Sequence, residues 1–151
     1  NEETPRIIDP RNAFIMYDLL KEVIKNGTAR KAKTLKRPDI AGKTGTTNDL
    51  MDAWFAGFNS DIVTVTWMGY DQPKSLGNKE TGSRAALPIW IDYMRPLLKD
   101  YPIKNLVKPE GIIPYKINKK TGMTNNSDEN GLYEYFYEEY PPFDNSYFVI
   151  N

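Results

Sequence analysis

Apolar residues recur at helical spacing between Pro10 and Asn26. Ala13, Met16, Leu20, Val23 and Ile24 form one stripe, which Phe14, Tyr17 and Leu19 widen. Asp9 can cap the free amides at the start, and Pro10 suits the first helical position, where its missing N–H loses no bond. Gly27 is expected to end the helix as a left-handed cap. The spacing thus predicts a core-packing helix. Residues 28–39, TARKAKTLKRPD, then carry Arg30, Lys31, Lys33, Lys36 and Arg37 with few apolar anchors. A solvated loop is the expected form, and a patch attracting anionic substrate or lipid headgroups is the other reading.

Three short strands are predicted next, over 40–46, 53–58 and 62–70. The last alternates, with Val63, Val65 and Trp67 on one face and Thr64, Thr66 and Met68 on the other. Asn59-Ser60-Asp61 is turn chemistry, so the second and third strands form a hairpin. After a polar loop over 71–82, residues 83–99 predict a second helix with Leu87, Ile91, Met94 and Leu98 on one face. Pro88 and Pro96 kink or shorten it. Residues 112–118 suggest one more strand, and 124–130 a loop. The ending GLYEYFYEEYPPFDNSYFVIN mixes aromatics and carboxylates without a period. Weak order is expected there, with a partner-binding tail as the alternative. Antiparallel strands packed by helices make this an α+β chain.

Composition narrows the chemistry. The 151 residues are enough for a proper core, and 20 basic residues balance 20 acidic ones, so nothing points to a nucleic-acid partner. Cysteine and histidine are both absent. Disulfides and thiolate chemistry are therefore excluded, and proton transfer near neutral pH falls to a carboxylate, a tyrosine or a lysine of depressed pKa. No metal or cofactor is expected. No apolar run approaches the roughly 20 residues that cross a bilayer. The opening Asn1-Glu2-Glu3, without an initiator methionine, reads as a piece cut from something longer.

The sharpest local signal is AGKTGTTND, residues 41–49, whose Lys43-Thr44-Gly45 is echoed by Lys120-Thr121-Gly122. A phosphate loop would need a glycine at position 37, which holds Arg37, and a helix opening at the lysine. The echo lies among Asn118, Lys119, Asn125 and Asn126, so a turn with Gly122 at positive φ is expected. The first copy lies on a strand. Alternation puts Lys43 and Gly45 on one side, and Gly45 leaves a gap beside the ammonium where a ligand can lie against backbone. A purely structural origin for the spacing is the competing reading.

The stretch AGKTGTTNDLMDAWFAGFNSDIVTVTWMGYDQPKSLG resembles the third active-site motif and following hairpin of the class A penicillin-binding proteins. These are bifunctional enzymes that join a glycosyltransferase to a DD-transpeptidase. DPRNAFIMYDLLKEVIKNGTAR and SRAALPIWIDYM resemble the flanking helices. The resemblance covers residues 6–122 and implies an incomplete part of a penicillin-binding-protein or beta-lactamase-like domain. Residues 1–100 would carry the motif, and 101–151 a partly irregular extension. Such enzymes bring together Ser-x-x-Lys, Ser-x-Asn and Lys-Ser/Thr-Gly in one cleft. The serine attacks the D-Ala-D-Ala amide of a peptidoglycan stem peptide, and a second strand's amine takes the acyl group. Beta-lactams acylate the same serine.

The resemblance implies that Lys43 is the third-motif lysine, adding positive potential beside the nucleophile. Thr44 and Thr46 would offer hydroxyls to the stem-peptide carboxylate, with Thr47 as a substitute. The Thr46 N–H would be an oxyanion-hole donor, and Gly45 would keep the strand accessible. Strict alternation points Thr44 and Thr46 away from Lys43, which these roles must accommodate. Asp52 and Trp54 are read as core and hairpin residues, and Asp49 as placed to fix the turn. Neither Ser-x-x-Lys nor Ser-x-Asn occurs; Thr28-Ala29-Arg30-Lys31 has the first spacing, but with a threonine in a charged segment. The nucleophile is thus expected from the remainder of the same protein upstream, and the isolated chain is expected to be inactive. The rival readings are a non-catalytic peptidoglycan-binding module and a serine carboxypeptidase or beta-lactamase-like enzyme. The implied location is the periplasmic side of a bacterial inner membrane, with the anchor outside this chain.

Overall fold

The computed structural model describes residues 5–124 and 131–143. The architecture is α+β: helices α1 (Pro10–Lys25) and α2 (Leu87–Leu97), and strands β1 (Ala41–Thr46), β2 (Ala53–Phe58), β3 (Val63–Met68), β4 (Ile112–Ile117) and β5 (Leu132–Tyr137). Two compact units form. One is Met16–Leu106; the other joins the described residues before Met16 to the described residues from Val107 onward.

In the larger unit β1, β2 and β3 pair antiparallel in that order. One face packs on α2. Trp90, fully buried, meets Phe55 edge-on at 4.9 Å between ring centroids and donates its indole N–H to the Thr64 carbonyl at 3.2 Å. Gly57 makes this approach possible, since a Cβ there would lie 2.6 Å from both rings. Leu87, Ile91, Met94 and Leu98 are buried as their spacing predicts, and Trp90 shares their face. The helical stretch begins as a π-helical turn, Gly82–Ala86, before α2 proper; Pro88 falls in the first turn of α2 and Pro96 inside its end. The alternation of β3 holds with its polar set turned inward. Thr64 gives its hydroxyl to the Met94 sulfur, whereas Val63, Val65 and Trp67 are exposed.

Several expectations change. The start of α1 is capped by Asp9, whose carboxylate accepts the Arg11 N–H at 2.8 Å. Its end is not a left-handed glycine: Gly27 is outside the positive-φ set, and its N–H returns to the Glu22 carbonyl at 3.1 Å. Glycine is needed there because a Cβ would sit 2.8 Å from the Val23 backbone. On the stripe, Ile24 is buried but Met16 and Leu19 are half exposed. Residues 28–39 are not a solvated loop. Arg30–Leu35 is a 3-10 helix anchored by the buried Ala29 and Ala32, and Lys36 closes it at φ 54°. Small side chains, invisible to a hydrophobic stripe, do the anchoring.

Arg37 folds inward to the fully buried Asp39. Its Nε and Nη2 donate to the carboxylate at 2.7 and 2.6 Å. Nη1 serves the Leu98 and Tyr101 carbonyls at 2.7 Å each, and Nη2 also reaches Pro102 at 3.1 Å. This brace ties the entry of β1 to the chain following α2.

In the smaller unit β4 pairs antiparallel with β5. The expected weak order after residue 131 therefore gives way to a strand over Leu132–Tyr137; residues 144–151 and most of the loop expected over 124–130 lie outside the described residues. Phe14 packs edge-on against Tyr135 at 4.9 Å, and Arg11 pairs with Glu139 at 2.6 Å. The β5 side chains range from half-buried to exposed, so no alternation marks the strand. At Lys120-Thr121-Gly122 the turn forms as read: Asn118 Oδ1 accepts the N–H groups of Lys120 and Thr121, and Gly122 has φ 70°.

Candidate functional site

The Lys-Thr-Gly strand β1 is the edge of its sheet. Register with β2 pairs Lys43 with Ala56, Thr44 with Phe55, Gly45 with Trp54 and Thr46 with Ala53. Beyond the strand, the Thr47 N–H donates to the Asp52 carbonyl at 3.1 Å. In an antiparallel ladder, backbone groups alternate between facing the partner and facing away. Thr47 faces β2, so the N–H and C=O of Thr46 and Thr44 point to the open edge.

Three kinds of group meet along that edge. The Lys43 ammonium curls over it to donate to the Thr44 carbonyl at 2.9 Å. The outward N–H of Thr46 is a backbone donor. On the face opposite Lys43 lie the hydroxyls of Thr44 and Thr46, as strand alternation requires. Thr44 shares a 2.7 Å hydrogen bond with the Thr28 hydroxyl, and Thr46 Oγ1 accepts the Gly82 N–H at 3.0 Å. A hydroxyl has one hydrogen and two lone pairs. Thr46 therefore keeps its O–H to donate while its oxygen is held in place.

Gly82 lies against the back of the strand so closely that a Cβ would be 2.4 Å from the carbonyls of Gly45 and Trp54. Gly45 itself sits beside Trp54; a Cβ would be 3.1 Å from that residue's Cβ. On the Lys43 face, Trp54 and Trp67 stack at 6.0 Å and 45°, both partly exposed. Trp54 thus serves hairpin pairing, not a buried core.

The turn after the motif holds Asp49 and Leu50 at φ 61° and 56°, an uncommon conformation for leucine. It is closed by Thr47 and Asp52. Besides the backbone bond, the Asp52 N–H donates to Thr47 Oγ1 at 2.8 Å, so that hydroxyl's oxygen belongs to the turn. The Asp52 carboxylate accepts the Trp67 indole N–H at 2.9 Å. Lys43, Thr44, Gly45, Thr46 and Thr47 are therefore contiguous along one edge, whereas Lys120 belongs to the other unit. Sequence reasoning weighed Thr28 only for the Ser-x-x-Lys spacing and missed its contact with Thr44, along with Gly82 and the Asp52–Trp67 bond. No local pattern links Gly82 to Thr46, which lies 36 positions away.

No protein-family model matches the chain. A penicillin-binding protein 1A of Pseudomonas aeruginosa is 51% identical over 144 residues, 93% of this chain and 18% of that protein. One from Neisseria lactamica is 53% identical over 112 residues, 74% of this chain and 14% of that protein. The crystal structure of penicillin-binding protein 1A from Haemophilus influenzae superposes with a TM-score of 0.84 at 37% identity, covering 93% of this chain and 22% of that one. The chain thus spans less than a fifth of the length of these sequence relatives.

Proposed function

Since this chain belongs, as a segment, to the penicillin-binding proteins 1A, we propose that it supplies the Lys-Thr-Gly wall of a peptidoglycan DD-transpeptidase site. The observation that carries this reading is the open β1 edge, where the Lys43 ammonium, the outward Thr46 N–H and the Thr46 hydroxyl converge. A stem peptide lying along the edge meets both faces of the strand at once, so Lys43 on one face and the threonine hydroxyls on the other serve a single ligand.

In this reading a serine supplied by the remainder of the protein attacks the penultimate D-Ala carbonyl. The C–N bond breaks, D-Ala leaves, and an amine of a second strand then takes the acyl group. Negative charge builds on the carbonyl oxygen at each step. The Thr46 N–H stabilises it, and such donors are worth about 3 kcal/mol each. Lys43 supplies positive potential beside the nucleophile, and Thr44 and Thr46 orient the terminal carboxylate. Beta-lactams enter by the same route and remain as the acyl-enzyme. Val63, Val65 and Trp67 leave one face of β3 apolar and exposed, and in this reading the remainder of the protein covers it.

No helix among the described residues is long and apolar enough to cross a membrane. The periplasmic face of the inner membrane is the setting this reading requires, with the anchor elsewhere in the protein. Fluorescent penicillin tests the reading. The full-length parent takes a covalent label and the isolated 151-residue chain does not; labelling of the isolated chain would overturn the claim that the nucleophile lies outside it.

A further inference from the structure

We propose that Thr47, Asp52 and Trp67 form a clasp that sets the direction of the Thr46 N–H, making Thr47 a positioning residue and not a substrate contact. This rests on the reading of Thr46 as the oxyanion donor. The clasp has three bonds: Thr47 N–H to the Asp52 carbonyl, Asp52 N–H to Thr47 Oγ1, and Trp67 Nε1–H to Asp52 Oδ1, at 3.1, 2.8 and 2.9 Å. The first of these fixes which way Thr47 faces, and alternation then fixes Thr46.

Two further observations show that this corner is built. Gly69 leaves the space the clasp occupies, since a Cβ there would be 2.3 Å from the Trp67 ring and 2.7 Å from Asp52 Oδ1. The enclosed turn holds Asp49 and Leu50 in the left-handed region, which non-glycine residues keep only where the surroundings enforce it. The turn is pinned on its far side by the Leu76 N–H on the Leu50 carbonyl at 2.8 Å. On the Thr46 side the clasp lies between that strain and the donor, beside the Gly82 N–H that holds Thr46 Oγ1 at 3.0 Å. Releasing it lets the turn relax and rotates the Thr46 peptide plane away from the edge.

The test uses the full-length parent and fluorescent penicillin, resolving the pre-acylation dissociation constant K from the acylation rate k2. Thr47→Val removes the acceptor at nearly constant shape, and Trp67→Phe removes the donor while keeping a ring. Each is expected to lower k2 about tenfold, part of the 10²–10³ typical of losing an oxyanion donor, and to leave K within about twofold. Acyl-enzyme hydrolysis should slow in parallel, because it passes through the same oxyanion. Thr47→Ser restores k2. If Thr47→Val raises K and spares k2, Thr47 touches the substrate and the clasp is refuted. Unchanged k2 in both variants refutes it too. An unlabelled wild-type parent instead overturns the reading of the site itself.

Discussion

Arg37→Met probes the brace at the entry of β1. The guanidinium of Arg37 places all its N–H groups: two on Asp39, the others on the Leu98, Tyr101 and Pro102 carbonyls. Its side chain is 8% exposed and that of Asp39 is 0%. Methionine keeps the stem volume but leaves a buried carboxylate without a counter-charge. Removing one partner of a buried pair costs about 3–5 kcal/mol. With a urea slope of about 2 kcal/mol/M, the unfolding midpoint drops by roughly 2 M. The assay is urea unfolding followed by fluorescence of the buried Trp90. Acid changes the outcome in a defined direction. Burial alone would raise the Asp39 pKa, but Arg37 and the Lys104 N–H outweigh it and hold the carboxyl below its usual value. A lowered folded pKa gives stability that is present above the unfolded value and lost as pH falls through the folded one. Wild type therefore loses this contribution below the ordinary carboxylate range. In Arg37→Met the carboxylate keeps its burial without its counter-charge, so its pKa rises and the deficit shrinks as pH falls. A loss under about 1 kcal/mol at neutral pH, against the 3–5 expected of a buried pair, or a deficit that grows in acid, would refute the reasoning.

Gly82→Ala drives a methyl toward the Gly45 and Trp54 carbonyls at 2.4 Å; it should destabilise by about 1–3 kcal/mol or more in the same urea assay. Trp90→Ala empties the space between α2 and the sheet and should cost about 3–5 kcal/mol in thermal unfolding. In the full-length parent, Lys43→Ala should slow acylation by fluorescent penicillin about 10²-fold or more, whereas Lys120→Ala should leave the rate unchanged; equal effects would unseat the assignment of the first triplet. Asp18→Asn should raise stability slightly at neutral pH, since burial lifts that carboxyl's pKa and its charged form is disfavoured in the fold.

Local rules in the sequence determined a good deal. Asp9-Pro10 capped a real helix start, the Leu87–Leu98 stripe was buried as spaced, and β2 and the Asn118–Gly122 turn formed where turn and strand chemistry put them. Each depends on residues within a few positions of one another, which is why the sequence alone carried them. The Lys-Thr-Gly strand, too, was legible as a strand with Lys43 and Gly45 on one side.

Other features follow from contacts between distant segments. Ala29 and Ala32 anchor a short helix that a stripe of large side chains would never reveal. Strand β5 has neither face fully buried, so no period marked it. Arg37 looked like one more solvated cation until Leu98, Tyr101 and Pro102 brought their carbonyls to it. Most consequential is the edge itself. Sequence named Thr46, but which way its N–H points follows from the β1–β2 register, which the Thr47–Asp52 bond continues past the strand end. Gly82, brought in from elsewhere in the chain, bonds the Thr46 hydroxyl, and Trp67 bonds Asp52 behind the turn. Side-chain type is written locally; the direction of a backbone donor is a property of the ladder it sits in.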